Sequence, residues 1–187
     1  MRGFYKSLFL IAVAGMGDKS QLVAPAFATR FNAVIVLAGV SAATLLVHLG
    51  SVALGRFLDS LVPERAISLA AGLAFIGFGL WTLRGDKLEG DFTGRTSSWG
   101  PFLTVAATFF VAEIGDKTML ATVTLAAREA SFVGVWIGST LGMVLADALA
   151  IWVGMTLGKR LPERSVKLGA ATVFIVTGVV TIGMAIS

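Results

Sequence analysis

Six apolar stretches, running roughly from Phe4 to Thr29, Ala33 to Gly55, Ala66 to Leu83, Phe102 to Ala127, Phe132 to Gly158 and Val166 to Ile186, take up nearly all of this 187-residue chain. Each is about the ~20 residues that a helix needs to cross ~30 Å of hydrocarbon. Lipid offers no hydrogen bonds to an open backbone, so a long apolar run spans it as a helix. With 56% hydrophobic and 14% charged residues, an ordinary soluble domain is excluded. The expected fold is an all-α integral membrane protein of six transmembrane helices. The connections leave no room for a soluble catalytic domain, so function must live between the helices.

The two halves repeat one another. Gly17-Asp18-Lys19-Ser20 recurs as Gly115-Asp116-Lys117-Thr118, Pro63-Glu64-Arg65 as Pro162-Glu163-Arg164, and Gly39, Gly55 and Arg30 fall opposite Gly138, Gly154 and Arg128. The offset is 98 residues at Asp18/Asp116 and 99 at Gly39/Gly138 and Pro63/Pro162. This is a duplicated three-helix unit. Three is odd, so the second copy enters the membrane from the opposite side, as in the inverted repeats of secondary transporters. The expected organisation is a first repeat over residues 1–83, a linker over 84–101 and a second, inverted repeat over 102–187.

Basic residues set the orientation. Arg2, Lys6, Arg56, Arg65 and Arg128 fall on the side of the termini, against Arg30, Arg84, Lys87, Arg95, Lys159, Arg160, Arg164 and Lys167 on the other. The positive-inside rule puts the 84–101 linker in the cytoplasm and both termini outside, in what reads as a prokaryotic inner membrane. The net charge of +4 is thereby assigned to topology; no basic cluster interleaved with aromatics points to nucleic acid. Cysteine is absent, which removes disulfides and thiolate metal sites. Arg2 and Lys6 ahead of Leu8 to Ala14, then Ala12-Val13-Ala14 before Gly15, have the outline of a signal peptide. The apolar run continues to Phe27, however, and cleavage would destroy the match between the halves, so the segment is read as the first span.

Charges inside apolar spans need a reason, because each costs several kcal/mol on insertion scales. On a continuous helix Glu113 and Asp116, three apart, share a face and together suit one cation, with Lys117 four residues from Glu113. Lys117 is read as an internal cation that holds the empty site; mere charge neutralisation by a Glu–Lys pair is the blander reading. Thr118 and Ser20 add hydroxyl oxygens, although a bond to the carbonyl four residues back is an equally ordinary role. In the first copy Gly15 stands where Glu113 has its counterpart, so Lys19 has no carboxylate four residues before it. Gly15-Met16-Gly17 either unwinds and offers carbonyls or allows close helix packing. Gln21 brings an amide oxygen to the Asp18 face, where its counterpart Met119 is a poor ligand for a hard cation.

His48 falls opposite Asp147, each within a polar stripe: Ser41, Thr44, His48 and Ser51 in one helix, Thr140, Met143 and Asp147 in the other. Interhelical hydrogen bonding and a role as proton carrier or outer ligand are both open, with Asp147 leaning to the second. Asp18, Glu113, Asp116 and Asp147 against Lys19 and Lys117 leave a net charge of minus two, which one divalent cation or two protons would balance. Metal exchanged for protons at a shared carboxylate site is the expected chemistry. No permanently bound cofactor is expected; the partners are divalent cations, protons and the bilayer.

A doubled motif, Glu-φ-Gly-Asp-Lys/Arg-Ser/Thr with φ apolar, on the first and fourth of six helices resembles the GDT family of cation:proton antiporters, also known as uncharacterised protein family 0016. Glu113-Ile114-Gly115-Asp116-Lys117-Thr118 fits throughout, and Gly15-Met16-Gly17-Asp18-Lys19-Ser20 fits except at its first position. The resemblance implies Mn2+ or Ca2+ exchanged against protons, with Asp18, Glu113 and Asp116 as metal ligands. Alternatives are an exporter of small cationic metabolites on a related fold and a transport-impaired membrane scaffold. No nucleophile constellation supports an intramembrane hydrolase.

Overall fold

The computed structural model describes residues 2–16, 20–84, 100–157 and 163–186, which excludes Asp18, Lys19 and most of the 84–101 linker. The described residues form eight helices: α1 (Arg2–Gly15), α2 (Ser20–Ala28), α3 (Ala33–Leu61), α4 (Glu64–Arg84), α5 (Gly100–Glu113), α6 (Lys117–Ala126), α7 (Phe132–Leu157) and α8 (Glu163–Ile186). Four of them, α3, α4, α7 and α8, are long and apolar enough to cross a membrane. The expected spans over 4–29 and 102–127 are each divided into two helices. α1 and α5 have 14 residues apiece, a rise of about 21 Å that falls short of the hydrocarbon thickness.

Local chemistry sets these boundaries. The Asn32 side chain accepts the Val34 N–H at 2.9 Å to cap α3, and the Ser131 hydroxyl accepts the Gly134 N–H at 3.0 Å to cap α7. These two caps are themselves 99 residues apart. Val62 is extended, as the residue before a proline prefers, and α4 restarts just past Pro63.

The surface is apolar like the core, and polar groups are buried within it. Phe57, Leu73, Val111, Trp152 and Met184 are exposed, while Thr44, His48, Ser51, Lys117, Thr118, Thr122 and Asp147 are buried. An apolar exterior with ionisable groups kept inside the bundle is what a lipid solvent selects. Most of the hydroxyls serve their own helix: Ser41, Ser51, Thr82, Thr108, Thr122, Thr140 and Thr172 each donate to the carbonyl four residues back.

Packing crosses between the halves. α1 lies mainly on α7, α3 lies on α5, α6 and α7, and α4 lies on α8. Glycines permit the closest approaches. A Cβ at Gly39 would stand 3.1 Å from the Phe102 carbonyl oxygen, and one at Gly138 would collide with the Phe4 carbonyl oxygen. A Cβ at Gly55 would strike the Val123 carbonyl oxygen, and one at Gly154 would stand 3.2 Å from Pro25 Cβ. Between α4 and α8, Phe75 and Phe174 stack at 6.1 Å, with Phe78 edge-on to both. At one end of the bundle Lys6 pairs with Glu129 at 2.6 Å, and Arg128 donates to Thr181 Oγ1 at 2.7 Å. The start of α1, the α6–α7 connection and the last turns of α8 therefore share that end.

Candidate functional site

The site is built on the interruption between α5 and α6. α5 ends at Glu113, Gly115 takes the left-handed conformation at φ +77°, and Asp116 becomes the N-cap of α6. Gly at a left-handed helix stop and Asp at an N-cap are the residues those two positions favour. The break leaves its own backbone groups satisfied. The Asp116 N–H donates to the Glu113 carbonyl at 3.2 Å, the Thr118 N–H to Asp116 Oδ2 at 3.3 Å, and the Gly115 N–H to the Met119 sulfur at 3.1 Å.

The break also brings two acids together. Thr118 Oγ1 lies 2.9 Å from Glu113 Oε2 and 3.1 Å from Asp116 Oδ2, and all three residues are buried. A hydroxyl carries one proton and satisfies one carboxylate at a time, whereas a cation would satisfy both. Lys117, the first residue of α6, is fully buried beside them. Carboxylate and hydroxyl oxygens in this arrangement suit a hard divalent cation.

The expectation that Glu113 and Asp116 share the face of one continuous helix is therefore corrected, because they lie on either side of a break. Their convergence comes through Thr118, whose hydroxyl turns to the carboxylates instead of back to its own helix. Of the alternatives at Gly15-Met16-Gly17, close packing is seen, with Gly15 tight against Met143 and Ala146 of α7; α1 ends at Gly15, and Gly17 lies outside the described residues. Asp18 and Lys19, and the side chains of Ser20 and Gln21 at the start of α2, lie outside the description. Among the described residues no group of three or more His, Cys, Asp or Glu gathers closely enough to hold a metal.

His48 and Asp147 are both fully buried, on α3 and α7. Neither ring nitrogen of His48, nor the Thr44 hydroxyl one turn before it, has a hydrogen-bond partner among the described residues. Of the two stripes, Ser41, Ser51 and Thr140 bond within their own helices, so no interhelical bonding comes from them. The break at Gly115-Asp116 was the feature sequence reasoning missed, and a stop glycine followed by a capping aspartate was its signal.

Buried charged groups between helices clad in apolar side chains define a multi-pass integral membrane protein, two of whose acids, Glu113 and Asp116, sit where a helix is interrupted. The chain belongs to the GDT1 family, described as divalent cation/proton antiporters, whose profile matches it over residues 3–90 and 101–187. It is 32% identical over 177 residues to a Vibrio cholerae protein named "Putative manganese exporter", covering 94% of this chain and 88% of the relative. It is 29% identical over 201 residues to GDT1-like protein sll0615 of Synechocystis, covering 97% of each chain. To GDT1-like protein 4 of Arabidopsis thaliana it is 29% identical over 218 residues, covering 96% of this chain and 94% of the relative. No solved structure matches it.

Proposed function

We propose that this chain is a secondary active exporter that exchanges Mn2+ or Ca2+ for protons across a prokaryotic inner membrane. The observation that carries the reading is the buried convergence of Glu113 and Asp116 on Thr118 where α5 gives way to α6. Asp18 supplies the third acid from the equivalent point between α1 and α2, with Ser20 and Gln21 as further oxygen donors. Lys19 and Lys117 hold the acids in the absence of metal, and His48 and Asp147 serve as outer ligands or proton carriers. The metal is cargo, and no resident cofactor is needed. The family's description as divalent cation/proton antiporters, and a relative named "Putative manganese exporter", support the substrate class.

The architecture in this reading is six crossings in two inverted repeats, 1–83 and 102–187, joined by a cytoplasmic linker, with α1–α2 and α5–α6 each forming one broken crossing. The glycine contacts support it. Gly39 meets the Phe102 carbonyl as Gly138 meets that of Phe4, and Gly55 faces Val123 as Gly154 faces Pro25, each exchange related by the repeat offset. Phe75 and Phe174, equivalent residues in contact with each other, lie where a pseudo-two-fold axis would pass. Alternating access would then rock the broken crossings against α3 and α7 over these small-residue surfaces.

Flux into proteoliposomes tests the function. The parent takes up Mn2+ or Ca2+ against an imposed proton gradient, and Asp116→Asn abolishes uptake. Asn caps a helix as well as Asp does, so this change removes the charge and keeps the cap. Uptake by Asp116→Asn at the parental rate sinks the site assignment, and uptake indifferent to the pH gradient sinks the exchange.

A further inference from the structure

The first break is short of an acid, and the structure gives a reason that involves a second residue. A Cβ placed on Gly15 would lie 2.8 Å from Met143 Sδ and 3.0 Å from Ala146 Cβ, well inside normal contact distances. Met143 is fully buried and belongs to the same packed cluster as Leu10, Ile11 and Ala14 of α1. For anything larger than glycine to fit at position 15 the Met143 thioether must move, and Ala146 must give by a few tenths of an ångström.

The other half solves the same space differently. The repeat offset makes Glu113 the counterpart of Gly15, and Thr44 and Val47 the counterparts of Met143 and Ala146. Carrying the contact register across puts the small, hydroxyl-bearing Thr44 opposite Glu113, where Met143 stands opposite Gly15. At the position nearest residue 15 the sizes are exchanged, Met143 against glycine in one half and Thr44 against a glutamate in the other, while at the next position Ala146 has the larger Val47 as its counterpart. Close-packed interiors tolerate an exchange of volume between neighbours far better than an addition of volume at one of them.

We propose that Met143 fixes the number of acids in the transport site: its side chain fills, from α7, the space that a carboxylate at position 15 would need, so Gly15 and Met143 form one size-coupled pair. Met143 is in this sense a positioning residue that never touches the cation. In the transport reading this leaves Asp18, Glu113 and Asp116 as the acids for the cation, with none at position 15. This inference rests on the transport reading for its functional half and on packing alone for the other, and the two are separable by experiment.

The test compares the full-length parent with Gly15→Glu, Met143→Thr, the double variant Gly15→Glu/Met143→Thr and the bulk-preserving control Gly15→Glu/Met143→Leu. Metal-free thermal unfolding in detergent reads the packing, and the KM and Vmax of Mn2+ uptake in proteoliposomes read the site. Gly15→Glu alone should melt roughly 5 °C below the parent, in line with the cost of overpacking a core. The Thr double variant should recover most of that loss, and the Leu double variant should not. In the Thr double variant the KM for Mn2+ should fall about tenfold with slower turnover, since an added carboxylate binds the ion more tightly and releases it less readily. A Gly15→Glu protein as stable as the parent, or a Thr double variant no more stable than Gly15→Glu, overturns the coupling. A restored melting temperature with an unchanged KM overturns the claim that the pair sets the acid count. Absence of Mn2+ uptake by the parent would refute the transport reading instead, and the melting series would still decide the pairing.

Discussion

At the scale of single residues, Thr118 concentrates the chemistry of the second break. Its hydroxyl is within hydrogen-bonding distance of both Glu113 and Asp116, and its N–H donates to the Asp116 side chain. Thr118→Val keeps the shape and deletes the hydroxyl, so two buried carboxylates lose their common donor. Losing a buried hydrogen bond to a charged group costs about 1.5 to 3 kcal/mol. The expected outcome is a lower unfolding temperature together with at least a tenfold drop in Mn2+ uptake, while Thr118→Ser retains both. Parental uptake by Thr118→Val would remove the hydroxyl from the mechanism. The acids themselves were legible in the sequence, because charge in an apolar span announces itself. Their geometry was not, because periodicity assumes a continuous helix and the spacing of Glu113 and Asp116 has a helical value by coincidence with a break. Gly115 and Asp116 held the information as stop and cap, masked by their resemblance to ligand chemistry.

At the scale of helices, glycine separates into two kinds that composition cannot tell apart. Gly138 and Gly55 lie against backbone of the opposite half, whereas Gly50 and Gly183 have nothing within 4 Å of an added Cβ. Gly138→Ala should force α1 and α7 apart and lower the unfolding temperature by several degrees, at a cost of about 1 to 3 kcal/mol. Gly50→Ala, in the interior of α3, should leave stability unchanged or raise it by up to about 1 kcal/mol through helix propensity. Thermal unfolding of the pair checks this, and equal effects would mean that the α1–α7 crossing does not depend on its glycine. The repeat offset had already matched Gly39 with Gly138 and Gly55 with Gly154. Which surface they meet required the fold, since sequence identity across halves gives equivalence and contact is a matter of three-dimensional register. The same distinction explains the spans: hydropathy finds the whole apolar run, and a two-residue stop-and-cap inside it leaves the mean almost unchanged.

At the scale of the whole molecule, the decisive question is the relative direction of the two halves. The Lys6–Glu129 and Arg128–Thr181 contacts gather the start of α1, the α6–α7 connection and the end of α8 at one end. If α1–α2 crosses once as a broken helix, the connection from α2 to α3 lies at the other end, and equivalent connections of the two repeats face opposite sides of the membrane. The chain has no cysteine, so single cysteines can be placed at will. Thr29 and Ala130 are exposed residues of the two equivalent connections. Thr29→Cys and Ala130→Cys should react with a membrane-impermeant maleimide from opposite sides: Ala130→Cys in intact cells, Thr29→Cys only after the cytoplasmic face is opened. The positive-inside rule predicts this sense from the excess of Lys and Arg on the Thr29 side. Labelling of both from one side would make the repeats parallel and end the inverted architecture, since a duplicated unit with an even number of crossings places equivalent loops together. Labelling from opposite sides in the reversed sense would keep the architecture and overturn only the orientation, and with it the assignment of the 84–101 linker to the cytoplasm.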